Sequence, residues 1–464
     1  MEKLPIFKPN DVKSFKFSIE QYINLEIEYN RYTLYKDLVK CIENIFKLYD
    51  DTKKLYENKN IIDRFILECI NHGISPIQNI SDIDTGIDTG IHSGIDTGIH
   101  SGINISSKIL CNIENIENIE LLGNNIFFNK CLNNIEDLRD CVFFKKMINE
   151  YIEKKIKITQ EHINKLEKCI ICTQHKFINL NKLLFLNKHK YANICTRGAQ
   201  QSINTYKLSA FADISCSIYV SENDNYIIKY RNYTKMINYK RYSKLIKNYD
   251  RPFPYDIIKM ILRYAIFDTS NQQWSIGINL YENISYLFDI SFEMFASPLN
   301  FNMNMFCSIF LDTDKIFGSI GSFYNLSIEC LLNQNIKGVF YNPPYLPILM
   351  NHTTKICLNL LAQMDKENID FTIVSFLPNW TDADYIQLFL QSQYVVVYKI
   401  VNKGDYILHE KDKGKLIKGT FELLVIIMNS KKHTWNTEKI ENVNKNFKDI
   451  IKIMKDETRI GVPL

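Results

Sequence analysis

From about residue 284 onward, short apolar runs alternate with segments of helical periodicity. The runs typical of strands are SYLFDIS, FCSIFLD, GVFYN, FTIVSFL, YVVVYKIV and FELLVIIM, and helical spacing lies near 349–364 and 382–391. A chain that alternates strands with helices folds into α/β layers, because each apolar sheet face has to be covered. The sequence therefore predicts an α/β fold for this part of the chain.

The rest of the chain differs in pattern. Apolar residues at helical spacing recur over about 11–70 and 134–190, whereas alternation near 200 is more typical of strands. Between the two helical stretches lie a tetrapeptide repeat, IDTG/IHSG (83–102), and then NIENIENIE (112–120). We interpret the repeat as a low-complexity loop rather than as stacked turns. We divide the chain into an N-terminal helical region (1–78), a low-complexity insertion (79–122), a mostly helical domain (123–283), the α/β domain (284–430) and a charged C-terminal tail (431–464).

Composition restricts the class of protein. The 464 residues carry a net charge of +4, and 46% are hydrophobic. The twelve cysteines have no regular spacing, the first residues carry no run like a signal peptide, and no apolar run approaches the roughly 20 residues of a membrane span. We therefore expect a soluble cytosolic or nuclear protein with reduced thiols and no membrane contact.

Metal binding is not predicted. Cys169 and Cys172 with His175 resemble half of a zinc site, but a structural zinc needs four ligands and no second pair follows at a suitable spacing. His92 and His100 recur within the repeat, and duplication explains them.

The stretch VFYNPPY (339–345) places two prolines directly after an apolar run. Asn-Pro and Pro-Pro commonly occur in turns and loops, so these residues could form a loop without any further role. The functional alternative is a buried strand that ends at a crevice, where stiff prolines hold Asn342 in place. The Asn342 oxygen and the Pro343 carbonyl could then accept the two N–H groups of an adenine amine, and Tyr345 could stack on the base.

Two further segments have the composition of a cofactor pocket. In SYLFDISFEMFASPLNFN (285–302), Glu293 or a neighbour would lie near the hydroxyls or positive charge of S-adenosylmethionine; the alternative is a core strand with a Ser-Pro turn. In FCSIFLDTDKIFGSIGSF (306–323), Asp312 or Asp314 would take ribose hydroxyls, and the glycines would allow close backbone approach; the alternative is a solvated turn.

This part of the chain resembles the catalytic domain of phosphorylated-CTD-interacting-factor type cap-specific adenosine methyltransferases. The resemblance rests on four motifs that occur in the same order and at similar spacing: FEMFASPLN, CSIF-DTD-FGS-GSF, NPPY and FLPNW (376–380). The resemblance is strong over about 285–430. It implies a Rossmann-like class I methyltransferase core, preceded by a helical domain, that uses S-adenosylmethionine to methylate N6 of the cap-adjacent 2′-O-methyladenosine. By position, the resemblance assigns adenine binding to Asn342, Pro343, Pro344 and Tyr345, where animal members have phenylalanine in place of Tyr345. It assigns cofactor binding to Glu293, Ala296, Ser297, Pro298, Asn300, Asp312, Asp314 and Gly318, and Ser319 and Gly321 belong to the same motif.

One departure concerns recruitment. Animal members carry a WW domain, which docks polymerase II tails and needs two tryptophans about 20 residues apart. The only tryptophans here are Trp274, Trp380 and Trp435, so the spacing predicts that this domain is absent and puts docking to the polymerase tail in doubt.

The segment 226–251 interleaves cations with tyrosines, a composition that suits single-stranded RNA. The resemblance favours this interpretation, and the alternative is a solvated helix face with half-buried tyrosines. The resemblance also implies that Arg197, which precedes a glycine in CTRGAQQ, contacts the cofactor or a cap phosphate. The predicted RNA-contacting residues are Arg197, Lys229, Arg231, Lys240, Arg241 and Trp380.

Taken together, the residues and the resemblance predict a nuclear (alternatively cytoplasmic), monomeric enzyme that acts on the capped 5′ end of mRNA. An N6-adenine methyltransferase of DNA or internal RNA sites is the alternative, because Asn-Pro-Pro-aromatic serves those substrates too. A catalytically silent RNA-binding module is the third possibility.

Overall fold

The structure is a computed structural model that describes residues 13–14, 19–46, 61–66, 142–153, 156, 158–173, 175–176, 180, 216–220, 225–247, 254–267, 274–381, 383–410 and 412–459. The repeat at 83–102, its two histidines and Arg197 lie outside these residues.

Thirteen strands are formed by the described residues. They are β1 (Lys13–Ser14), β2 (Cys216–Val220), β3 (Asn225–Tyr230), β4 (Tyr233–Asn238), β5 (Trp274–Ile276), β6 (Phe292–Glu293), β7 (Met305–Phe306), β8 (Gly338–Tyr341), β9 (Thr372–Pro378), β10 (Val395–Val401), β11 (Ile407–Glu410), β12 (Lys415–Lys418) and β13 (Leu423–Asn429).

The principal helices surround these strands. They are α1 (Ile19–Phe46), α2 (Val142–Glu153), α3 (Tyr239–Lys247), α4 (Pro254–Tyr264), α5 (Ile278–Phe288), α6 (Leu311–Asp314), α7 (Ile328–Asn333), α8 (Pro347–Lys366), α9 (Asp384–Leu390) and α10 (Thr437–Arg459). Residues 61–66 and 160–173 are also helical.

A six-stranded mixed sheet in the order β10-β13-β9-β8-β6-β7 organises the C-terminal half. Strands β7, β6, β8 and β9 are parallel, and β13 runs antiparallel to both β9 and β10. Side chains of β8 alternate between the two faces: Val339 and Tyr341 pack with α8 and α9, whereas Phe340 packs with α5 and α10. The predicted α/β class is confirmed.

Most predicted elements of this half are confirmed, and two are corrected. The runs GVFYN, FTIVSFL, YVVVYKIV and FELLVIIM form β8, β9, β10 and β13, and the helices near 349–364 and 382–391 form α8 and α9. SYLFDIS, however, is mostly the last turn of α5, and the strand follows it as β6. Only the first residue of FCSIFLD belongs to a strand, β7, because the chain turns into α6 at Leu311.

The segment predicted as a mostly helical domain also contains sheet. Strands β1 to β4 form an antiparallel sheet in sequence order, as the alternation near 200 predicted. Its buried side chains, including Ile218, Tyr230 and Tyr233, share a hydrophobic core with α1 and α4. This sheet and these helices stand beside the six-stranded sheet, and residues such as Phe306 and Phe317 belong to the same core.

A third sheet, in the order β12-β11-β5, is antiparallel and small. Strands β11 and β12 form a hairpin within the connection from β10 to β13, and β5 is added from the segment before α5. Gly419 follows the hairpin, where the aromatic ring of Tyr406 lies so close that a Cβ at Gly419 would be 2.3 Å from it. No run in this sheet was predicted from the sequence.

The remaining findings concern the cysteines, membrane spans and metal-ligating side chains. Cys41 and Cys169 form a disulfide, which corrects the expectation that these thiols are reduced. Within the described ranges, no helix is long and apolar enough to cross a membrane, and no cluster of three or more metal-ligating side chains occurs.

Candidate active site

A cavity of about 290 Å³ opens at the carboxyl ends of the parallel strands. Strands β6 and β8 are neighbours, with Glu293 paired to Phe340, so the segments that follow them meet at one edge of the sheet. Strand order also reverses here, because β7 lies on one side of β6 and β8 lies on the other. Such a crevice is where open α/β sheets bind ligands.

Residues 342–345 form one wall of the cavity, and all four line it. Strand β8 ends at Tyr341, whose buried hydroxyl lies 2.6 Å from the Thr353 hydroxyl on α8. The two prolines end the strand and lead into α8, and the Leu346 N–H donates to the Pro344 carbonyl at 2.7 Å. The turn that follows Asn342 is therefore held by the backbone as well as by the proline rings.

The hydroxyl of Tyr345 donates to the Asn342 side-chain oxygen at 3.1 Å and lies 3.4 Å from the Phe376 carbonyl on β9. Burial raises the pKa of Tyr345, so this hydroxyl stays protonated and remains a donor. One lone pair of the Asn342 oxygen is therefore engaged by Tyr345. No other bond to this oxygen is formed by the described residues, so the second lone pair can accept an external N–H donor.

Glu293 lines the cavity as predicted, but its carboxylate is already engaged. It accepts hydrogen bonds from the Asn302 backbone at 2.8 Å, from the Asn302 side chain at 3.0 Å and from the Met303 backbone at 3.2 Å. The hydroxyl of Tyr281 also bonds to it, and burial raises the pKa of Tyr281. Glu293 therefore fixes the segment after Phe301 and contributes negative charge to the cavity wall.

The polar groups of Ser297 and Asn300, in the segment after Glu293, bond to each other. Asn300 accepts hydrogen bonds from the Ser297 backbone at 2.8 Å and from the Ser297 hydroxyl at 3.1 Å. The backbone N–H of Ala296 donates to the Cys307 carbonyl, which joins the segments after β6 and β7. Ala296, Ser297 and Asn300 all line the cavity, whereas the lining does not include Pro298, which is buried.

The two predicted aspartates lie behind the wall rather than in it, since neither Asp312 nor Asp314 lines the cavity. Asp312 forms an ion pair with Arg263 at 2.9 Å. Asp314 is fully buried and accepts the Tyr264 hydroxyl at 2.6 Å, and burial raises the pKa of Asp314 to about 6. It also bonds to Ser308, and because Tyr264 and Ser308 do line the cavity, Asp314 supports the wall through them.

The glycines of this segment have the backbone conformation that their residue type permits. Gly318 has a φ of 98° and Gly321 a φ of 120°, a region that favours glycine. Neither lines the cavity, but the Ser308 N–H donates to the Gly321 carbonyl and so ties the two segments together.

Of the predicted RNA-contacting residues that the structure describes, Trp380 alone lines the cavity. Arg231 pairs with Glu26 at 2.7 Å, and the buried Arg241 donates to the Phe301 carbonyl at 2.8 Å. Both cations therefore have partners within the protein. Lys229 on β3 and Lys240 on α3 are exposed, on elements away from the cavity lining.

The structure adds residues that sequence patterns did not indicate. Arg64, Tyr264, Trp274, Tyr281 and Phe421 line the cavity from five separate segments. Arg64 is itself held by Glu150, at 2.6 Å. Cys307, Ser308 and Phe323 also line it, and these three lie within the segment 306–323 that the motif analysis selected.

Comparison with known proteins supports the resemblance that the motifs carry. A family model described as the phosphorylated CTD interacting factor 1 WW domain matches residues 234–410. Two relatives, from Mus musculus and Homo sapiens, are named mRNA (2′-O-methyladenosine-N(6)-)-methyltransferase, and each is 33% identical over 125 residues. The aligned part covers 27% of this chain and 16% of the length of each relative.

The match corrects the prediction that the WW domain is missing. The description of the matching family model names that domain, so the tryptophan spacing was not a sufficient reason to exclude it. The matched range contains strands β5 to β11 and residues 342–345.

Proposed function

We propose that this protein is an S-adenosylmethionine-dependent RNA methyltransferase that methylates N6 of adenosine, at the cap-adjacent 2′-O-methyladenosine of mRNA. The observation that carries the proposal is the placement of Asn342 and Tyr345 in one cavity with Glu293 and the segment 295–300. The names of the two relatives support the substrate and the reaction. The proposal includes the nucleus as the place of action, because capped transcripts arise there.

The proposal treats the six-stranded sheet as a Rossmann-like methyltransferase core. In its favour are the four parallel strands, the helices on both faces and the position of the cavity where strand order reverses at β6. The antiparallel strands β13 and β10 complete the sheet.

The residues on the β6 side of the cavity suit the cofactor. Small-molecule sites of about 300 Å³ or more combine apolar walls with a few polar groups. Here Phe295 and Phe323 give apolar surface, Ser297 and Asn300 give hydrogen-bonding groups, and Glu293 gives negative charge. S-adenosylmethionine, when bound, supplies a methyl group on a positively charged sulfur.

The residues on the β8 side suit an adenine. Its amine nitrogen is a poor nucleophile because its lone pair is conjugated with the ring. An N–H bond to the Asn342 oxygen favours the form in which electron density stays on nitrogen, and charge that develops on the amine is stabilised by the same oxygen. Tyr345 offers a ring for stacking, and the Pro-Pro turn holds both groups at a fixed distance from the β6 segment.

The direct experiment is methyl transfer to capped RNA that begins with 2′-O-methyladenosine, measured by mass spectrometry of the released nucleosides. We expect the wild-type protein to form the N6-methyl product. We expect Asn342→Ala to reduce kcat at least a hundredfold, on the order of the loss seen when one oxyanion-type group is removed. Asn283→Ala is the matched control, since the Asn283 side chain bonds to the Asn279 carbonyl within α5 and lies outside the cavity lining.

Substrate choice separates this proposal from its alternatives. Equal rates on capped and uncapped RNA would remove the cap-specific part, and a higher rate on single-stranded DNA or internal adenosines would replace the substrate. Absence of product together with tight binding of capped RNA would favour a silent binding module. A fully active Asn342→Ala variant would refute the assigned role of the asparagine.

A further inference from the structure

The small sheet β12-β11-β5 and the segment that follows it contribute one part of the cavity wall. Trp274 and Ser275 of β5 and Leu408 of β11 line the cavity, as do Thr420 and Phe421 in the connection from β12 to β13. Because β11 and β12 lie between β10 and β13 in sequence, the wall is an insertion into the six-stranded sheet.

Phe421 is the member of this wall that touches the adenine-binding segment. Its ring meets the ring of Tyr345 edge-on, with centroids 5.6 Å apart and an angle of 89° between the planes. An edge-to-face pair of this kind is a preferred aromatic geometry. It restricts rotation of the Tyr345 ring about its side-chain bonds, because the hydroxyl is fixed at the other end by Asn342.

Phe421 is in turn held from behind by the hairpin. The Tyr406 hydroxyl donates to the Phe421 carbonyl at 2.9 Å, and the two rings lie 5.9 Å apart. The Gly419 N–H donates to the Tyr406 carbonyl at 2.9 Å, which completes a closed turn between the two residues. The absence of a Cβ at Gly419 leaves the space that the Tyr406 ring occupies.

We propose that Phe421 is a positioning residue for methyl transfer, which sets the plane of the Tyr345 ring and thereby the plane in which the substrate base stacks. The inserted hairpin is the element that delivers it. This inference rests on the proposed function, since it assigns the wall to the nucleobase of the substrate. Phe421 acts through Tyr345, and Tyr345 contacts the base.

The test compares Phe421→Leu and Phe421→Tyr with the wild type in the capped-RNA assay. Leucine keeps apolar volume but loses the ring, so kcat/KM for RNA should fall about five- to tenfold, the equivalent of an aromatic pair. Phe421→Tyr, which keeps the ring edge, should stay within about twofold of the wild type. Affinity for S-adenosylmethionine, measured by calorimetry, should be the same in all three. Tyr398→Leu is the matched control, because Tyr398 is half-exposed on β10 and outside the lining.

The outcomes separate this inference from the proposed function. Absence of methyl transfer by the wild type refutes the function itself. If the wild type is active and Phe421→Leu is equally active, the positioning role alone is overturned. The same holds if Phe421→Leu loses affinity for S-adenosylmethionine by as large a factor as it loses kcat/KM. If Phe421→Leu does not fold, Tyr406→Phe removes only the hydroxyl that holds the Phe421 carbonyl, and a loss of about two- to fivefold is then expected. An unchanged Tyr406→Phe would overturn the role of the hairpin.

Discussion

At the residue scale, Asp312 and Asp314 show how position within one helical turn decides the behaviour of a carboxyl group. Burial would raise the pKa of Asp312, but the opposing charges of Arg263 and Lys259 outweigh it, so the pKa of Asp312 is lowered. Asp314 has hydroxyl partners and no neighbouring cation among its pKa-shifting contacts, and burial raises its pKa to about 6. The two groups should therefore change stability in opposite directions with pH.

The pKa of Asp314 gives a testable sign. The unfolded chain ionises this carboxyl near 3.8 and the folded protein near 6, so between these values the folded protein binds more protons. The contribution of Asp314 to the free energy of unfolding should therefore fall as pH rises through this window, by about 3 kcal/mol in total. Asp314→Asn removes this ionisation. Urea unfolding between pH 4 and pH 7 should show the variant gaining stability relative to the wild type as pH rises.

Asp312→Asn is the internal comparison. The lowered pKa of Asp312 means that its stabilising effect is present above about pH 4 and is lost as pH falls through the folded pKa. This variant should lose stability relative to the wild type at pH 7, and the gap should close in acid. If both variants followed the same trend, the assigned environments would be wrong.

At the element scale, the hairpin of β11 and β12 depends on one position without a side chain. A Cβ at Gly419 would lie 2.3 Å from the Tyr406 ring, and that ring is held by its hydroxyl. Gly419→Ala should therefore cost about 1–3 kcal/mol of unfolding free energy, the usual range for overpacking. It should also displace Phe421 and reduce methyl transfer.

The control for Gly419→Ala is a double variant with Tyr406→Leu. Leucine lacks the ring that would clash, so adding Gly419→Ala to Tyr406→Leu should cost less than adding it to the wild type. Chemical denaturation of the four proteins gives this difference directly. Equal costs in both backgrounds would mean that the ring does not limit this position.

The elements also show what a sequence pattern can and what it cannot give. Strands β8, β9, β10 and β13 follow from apolar runs, because buried strands need them. SYLFDIS misled because it begins inside α5, where Leu280, Tyr281 and Ile284 have already established helical spacing. The hairpin had no signal, since KLIK and ILHE are short and mixed in polarity.

Site residues divide in the same way. Asn342 and Tyr345 were accessible from sequence because one rigid segment holds the whole group. Phe421 was not, because its contact with Tyr345 spans 76 positions of the chain and no local pattern encodes it. The cations of 226–251 are predicted from composition to contact RNA, but composition does not indicate tertiary partners such as Glu26 for Arg231.

At the scale of the whole molecule, buried charges link the N-terminal helix to the α/β domain. Arg263 on α4 is 2% exposed and bonds to Glu28 on α1 at 2.6 Å. It also bonds to Asp312 on α6 at 2.9 Å, and Arg31 completes the group by pairing with Glu28 at 3.2 Å. Removing Arg263 would leave the buried Glu28 carboxylate with Arg31 as its remaining ion-pair partner, which would lower the free energy of unfolding.

Arg263→Met should therefore lower the free energy of unfolding by about 3–5 kcal/mol, and α1 should separate first. The chain allows these steps to be distinguished, because its only tryptophans are Trp274, Trp380 and Trp435, all on the α/β side. In urea, tryptophan fluorescence reports that side alone, whereas far-ultraviolet circular dichroism reports all helices. The two transitions should coincide in the wild type, and in Arg263→Met the circular dichroism change should begin at lower urea.

Arg231→Met is the matched control for this loss of an arginine. The Arg231 side chain is 41% exposed, and its partner Glu26 keeps a hydrogen bond from the Tyr230 hydroxyl at 2.6 Å. We expect a change of less than about 1 kcal/mol and coincident transitions. If Arg263→Met behaved like this control, the buried charges would not be what couples α1 to the α/β domain. The shared hydrophobic core between α1 and α4 would then have to account for the coupling.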